Sequence, residues 1–171
     1  MSFSDAQFLS IEEMEQLINT TYKEQNQEVW RAFIFTLYTG IRFCDIKGLT
    51  FANVDYSNKL LKFEQNKTKG HSTRSGVIIP LNDGLLSLIG AASTDNADER
   101  IFKLPSQMTC LKALKCWTEK AGIIKHITWH AARHVNSSYS LKIKDLQSLS
   151  AWQVTTWKPA SFCILQCSAL I

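Results

Sequence analysis

Apolar residues recur along this chain with two different periods. Ile11, Met14, Leu17 and Ile18 follow at helical spacing. Ahead of them Ser10-Ile11-Glu12-Glu13 fits a capping box, in which the serine hydroxyl accepts from the third residue's N–H and the glutamate reaches back. A second helix is predicted from about Glu28 to Thr39, carrying Val29, Phe33, Ile34 and Leu37 and stopped by Gly40, which tolerates the left-handed conformation. A short third helix covers Phe43 to Leu49. The pattern then changes. Residues 53–58 read as a turn, and Leu60-Leu61-Lys62-Phe63 and Val77-Ile78-Ile79-Pro80 read as short strands around a polar, basic hairpin tip, Asn66 to Arg74. Asn82 or Asp83 caps a helix through about Ala91, and Ser93 to Glu99 forms a polar loop. Ser106 caps a helix with Met108, Leu111, Leu114 and Trp117 on one face, ended by Gly122. Thr128 caps a last helix bearing His130, Arg133 and His134. The expected fold is mainly α with a small antiparallel β-sheet at one edge (α+β), and Phe33, Phe35 and Trp117 belong to its core.

Composition narrows the class. The 171 residues suit one domain, and 45% apolar content suffices for a core. With 7 Gly, 3 Pro and 20% charged residues the chain is neither fibrous nor disordered. No apolar run approaches a bilayer span, and the start has no basic n-region or h-region, so a cytoplasmic protein with no membrane partner is expected. Five cysteines, an odd count with no Cys-x-x-Cys, argue for reduced, mostly buried thiols. A net charge of +4 permits an anionic partner without demonstrating one.

The candidate chemistry lies in three basic clusters far apart in the sequence. Arg42 follows a helix stop in Thr39-Gly40-Ile41-Arg42-Phe43-Cys44-Asp45. Lys67 sits at the hairpin tip. His130-Ala131-Ala132-Arg133-His134 opens a helix, where positions i and i+3 share a face. Two guanidinium forks, a lysine and a histidine suit a phosphodiester in transfer, because arginine clamps phosphate oxygens bidentately while Lys or His moves protons. His126, His130 and His134 also fall at i, i+4, i+8. The Thr128 cap places His126 outside the helix, however, and no acidic or Cys partner is near, so neither a metal site nor a cofactor is expected.

The order and context of these clusters resemble the catalytic domain of tyrosine recombinases, the phage-integrase family, and most of all integrases of bacterial mobile elements. The resemblance covers residues 8–134 and rests on Tyr38-Thr39-Gly40-Ile41-Arg42-Phe43-Cys44-Asp45-Ile46-Lys47-Gly48-Leu49, on Gln65-Asn66-Lys67-Thr68 with Ile79-Pro80-Leu81, and on Ile127 to His134. It implies that Arg42 is the first catalytic arginine and that Lys67 protonates the leaving 5′-hydroxyl, with Lys69 as a nearby substitute. It implies that His130 and Arg133 form the His-x-x-Arg pair and that Asp45 supports the site by pairing with a basic side chain. Lys69, Arg74 and His134 are further candidates for contact with DNA. In such enzymes a tyrosine attacks the scissile phosphate and forms a 3′-phosphotyrosyl link. The arginines supply the charge stabilisation, and neither a metal nor ATP is required. The partner implied is double-stranded DNA, on which the family assembles as tetramers.

The tail, residues 135–171, departs from that pattern. The family's Leu-Gly-His segment and downstream nucleophile are missing. No tyrosine follows Tyr139, which lies too close to Arg133 to serve as one, and Trp152 and Trp157 are best read as apolar anchors. Codon degeneracy allows Trp152 to Lys158, read two nucleotides on, to spell Ala-Gly-His-Asn-Met-Glu, and Lys158 to Gln166 to include Leu-Tyr-Thr-Ala. The expectation is therefore a tail read out of frame, on a single catalytic domain (1–171) that lacks the family's N-terminal DNA-clamping arm. Such a chain is expected to be monomeric in isolation, to bind DNA weakly and in a salt-sensitive manner, and not to cleave it. The alternative reading is a non-catalytic DNA-binding module that competes for recombination sites.

Overall fold

The computed structural model describes residues 9–65, 76–91 and 97–135. Helix α1, Ile11–Asn19, begins as its sequence dictates: the Ser10 hydroxyl accepts from the Glu13 N–H at 3.2 Å, and the Glu13 carboxylate accepts from the Ser10 N–H at 2.8 Å. Met14 and Leu17 are its buried face. Helix α2, Gln27–Thr39, is capped by Asn26, whose side chain accepts from the Val29 N–H. It buries Val29, Ala32, Phe33, Ile34, Phe35, Thr36 and Leu37. A helix apolar on nearly all sides belongs at the centre of a domain. It ends at Gly40, where φ is +67°. Helix α3, Phe43–Gly48, follows at once.

A turn of 3₁₀ helix, Phe51–Asn53, leads into a three-stranded antiparallel sheet of β1 (Val54–Asp55), β2 (Leu60–Glu64) and β3 (Gly76–Pro80). Leu61 pairs with Ile79 on the core side, and Lys62 pairs with Ile78 on the solvent side, so register follows the apolar alternation. Helix α4, Asp83–Ile89, is capped by Asn82. Its C-terminus is held by Arg31 of α2, whose guanidinium donates to the carbonyls of Leu88 and Ile89 at 2.6–2.9 Å. Cations complement exposed carbonyls at that helix end. Helix α5, Gln107–Lys120, starts at Ser106. Residues 129–135 form α6, with the Thr128 hydroxyl accepting from the Ala131 N–H at 3.3 Å.

Phe33 joins the helices. Its ring meets Trp117 of α5 edge-on at 5.7 Å between centroids and Trp129 of α6 at 5.2 Å. Phe35 packs against Phe102 with the rings tilted at 50° and centroids 5.4 Å apart. Phe33, Phe35 and Trp117 are all buried, as expected.

Four expectations need correction. Residues 53–58 are not only a turn, because Val54 and Asp55 pair with Leu61 and Leu60 as β1; a two-residue strand carries no period to read. The helix expected to reach Ala91 stops at Ile89, because Gly90 takes a positive φ of 74°. Met108 is 64% exposed and lies off the buried face of α5, which is built on Cys110, Leu114 and Trp117. Met108 precedes Cys110 by about 200° of helical rotation. The thiols are not uniformly buried either: Cys110 is buried, Cys116 half-buried and Cys44 exposed.

The Glu13 carboxylate does double duty. Besides the Ser10 N–H it accepts from Lys125 Nζ at 2.8 Å, fastening α1 to the segment that leads into α6. Partial burial pushes its pKa up, but the Lys125 and Ser10 hydrogen bonds outweigh this and hold it below the ordinary 4.5. A folded-state value below the unfolded one contributes stability above the unfolded pKa, lost as pH falls through the folded pKa. Glu13→Gln is therefore expected to be less stable than the parent at neutral pH, with the gap closing below about pH 4.5. Urea melts of both proteins across that range measure it.

Candidate functional site

Arg42 occupies the N-cap of α3 in an extended conformation, and its carbonyl accepts from the N–H groups of Asp45 and Ile46 at 3.0 Å. A guanidinium has no acceptor, so its side chain cannot cap the helix it precedes. It reaches instead to the residue that follows β2: Arg42 Nη1 donates to Gln65 Oε1 at 3.0 Å. Gln65 is half-buried and is the last described residue after β2. The first cluster is thus tied to the residue that follows β2, two positions before Lys67 in the sequence.

The third cluster arrives from the other side. Phe43, next to Arg42, packs its ring against Trp129 at 4.9 Å, and Trp129 immediately precedes His130. Trp129 is buried between Phe33 and Phe43, and this fixes where α6 begins. The N-terminal ends of α3 and α6 therefore lie side by side, with Arg42 and His130 each one residue from the ring contact that joins them.

Asp45 lies in the first turn of α3 and is buried, 4% exposed. The thiol of its neighbour Cys44 lies 3.8 Å from its Oδ1. On α6, His130 is exposed while Arg133 and His134 are half-buried. The imidazole of His130 meets that of His134 one turn on, with the two Nε2 atoms 2.8 Å apart. The sequence reading paired His130 with Arg133 by spacing and did not foresee this contact. Lys67, Lys69 and Arg74, together with Tyr139, Trp152 and Trp157, lie outside the described residues.

Three residues that sequence reasoning left without a role position the site. Gln65 braces Arg42, and Phe43 and Trp129 clamp the two helix starts together. All three stand inside the motif stretches already quoted, but the contacts join positions 23 and 86 residues apart, and no local pattern encodes such pairs. Among the described residues no helix is long and apolar enough to cross a membrane, and no group of three or more His, Cys, Asp or Glu is arranged to hold a metal ion.

The fold is thus mainly helical with a small antiparallel sheet, and the helix starts that carry Arg42 and His130 meet through Phe43 and Trp129. The sequence matches the phage integrase family over residues 7–153, beyond the 8–134 stretch on both sides, and the chain belongs to that family. The fold is similar to the crystal structure of XerA recombinase, with a TM-score of 0.62 at 20% identity over 94% of this chain and 62% of that one. It is also similar to the Tn1549 transposon integrase, solved in complex with circular intermediate DNA, with a TM-score of 0.54 at 16% identity over 91% of this chain and 62% of that one. The chain thus spans less than two thirds of the length of either structure. No curated protein matches it in sequence.

Proposed function

We propose that the chain is the catalytic domain of a site-specific DNA recombinase that grips one backbone phosphate of double-stranded DNA with Arg42, Lys67, His130 and Arg133. The observation that carries this reading is the double tether of Arg42, to Gln65 on one side and, through Phe43 and Trp129, to the start of α6 on the other. Lys67 follows Gln65 by two positions in the sequence. Each group then has a separate task. The arginines neutralise the phosphate oxygens, most strongly as charge builds on them in the transition state. In the intact family reaction His130 and Lys67 would handle protons, Lys67 delivering one to the departing 5′-hydroxyl. Asp45 is a positioning residue for the Arg42 turn, and Lys69, Arg74 and His134 add contacts along the duplex.

In this polypeptide as it stands the clamp has no tyrosine to work with beyond Tyr139. On this reading the given residues bind DNA without cutting it, which would let them compete for recombination sites. The family match runs to Gln153, nineteen residues past His134, so the tail does not leave the family pattern at Val135 as expected.

The test uses the purified chain and a nicked duplex that traps covalent protein–DNA adducts. Salt-dependent retention of the duplex with no adduct is expected. An adduct would refute the non-cleaving reading, and no retention at low salt would refute the DNA reading altogether.

A further inference from the structure

The His130–His134 pair has a geometry that phosphate binding does not explain. The rings stand nearly perpendicular, at 81°, with centroids 4.4 Å apart and Nε2 facing Nε2 at 2.8 Å. One ring must donate and the other accept, since two Nε2–H groups would repel. Two imidazole nitrogens this close, one helical turn apart on an outer face, also form a bite for a metal ion.

Imidazole nitrogen suits first-row divalent ions, with affinity rising through Ni²⁺ to Cu²⁺, and two adjacent imidazoles completed by water oxygens suit the tetragonal geometry of those two ions. We propose that His130 and His134 form a two-imidazole chelate for a tetragonal divalent ion of the nickel or copper class, with water in the remaining positions. The donor ring moves its proton from Nε2 to Nδ1 through solvent, so a neutral pair binds the ion without net proton release. His130 is exposed, so the ion reaches the pair without rearrangement of the core. A bound ion occupies His130 Nε2 and withdraws that histidine from any proton transfer at a phosphate.

The inference needs no DNA, so it stands or falls apart from the proposed function. Ni²⁺ is titrated into the tag-free full chain while the imidazole proton resonances of all four histidines are followed. Paramagnetic broadening of His130 and His134, ahead of His71 and His126, is expected. His130→Asn and His134→Asn are each expected to weaken nickel binding at least about tenfold, because each removes one arm of the chelate. Mg²⁺, which prefers oxygen ligands, is expected to leave the spectrum unchanged. Metal-free melts of both variants that match the parent show that the site alone was lost. Broadening centred on His71 or His126, no saturable binding, or unchanged affinity in either variant overturns the proposal.

Discussion

A Phe33→Ala variant is expected to lose about 3–5 kcal/mol of folding stability. That is a large share of the roughly 5–15 kcal/mol that holds a domain of this size together. Phe33 is fully buried at the centre of α2 and is the one ring touching both Trp117 and Trp129 among the described residues. Truncation removes the burial, leaves a cavity and abolishes two edge-on aromatic contacts, each contributing about 0.5–1.5 kcal/mol beyond its area. The second contact bears on function, because Trp129 fixes the start of α6 and with it His130. Phe33→Leu, which fills most of the space, is expected to recover more than half of the loss. Urea denaturation of the three proteins decides it. A loss under about 1 kcal/mol for the alanine variant would show that the core is not organised around this ring.

The second large effect concerns Arg42. Arg42→Ala is expected to weaken DNA binding by about 1.5–3 kcal/mol, the range for a hydrogen-bonded charged group, which is roughly 10- to 150-fold in affinity. Removing one phosphate contact is also expected to lower the slope of log affinity against log salt by about 0.9. Arg42→Lys keeps the charge but loses the planar fork, one arm of which holds Gln65, so it is expected to retain the salt slope while recovering only part of the affinity. Binding to a fixed duplex at several salt concentrations provides both readouts. Equal affinity for parent and alanine variant would remove Arg42 from the interface.

What the sequence disclosed depended on range. The Ser10–Glu13 box, the Gly40 stop and the Ser106 and Thr128 caps are chemistry between residues three or four apart, and each appears where its residues predict. The register of β2 against β3 was implicit in the alternation of Leu61 and Phe63 with Lys62 and Glu64. The strand β1 escaped because two residues have no period, and Met108 misled because an apolar residue in a helix's first turn need not face the core. The candidate site was legible as a set of residue types in a familiar order. Its assembly was not, since the Arg42–Gln65 bond and the Phe43–Trp129 contact are products of packing between distant segments. The spacing of His130 and His134 allowed an encounter, but only the ring orientations brought nitrogen to nitrogen.

Arg42 and the His130–Arg133 pair are proposed to meet at one phosphate, and a double-mutant cycle on DNA binding tests that directly. Affinities are measured for the parent, Arg42→Ala, Arg133→Ala and the double variant on one duplex at one salt concentration. Groups sharing a phosphate are expected to give a coupling energy of about 0.5–3 kcal/mol, the double variant binding better than the sum of the single losses allows. Losses that add to within about 0.3–0.5 kcal/mol would place the two arginines at separate points and contradict the account.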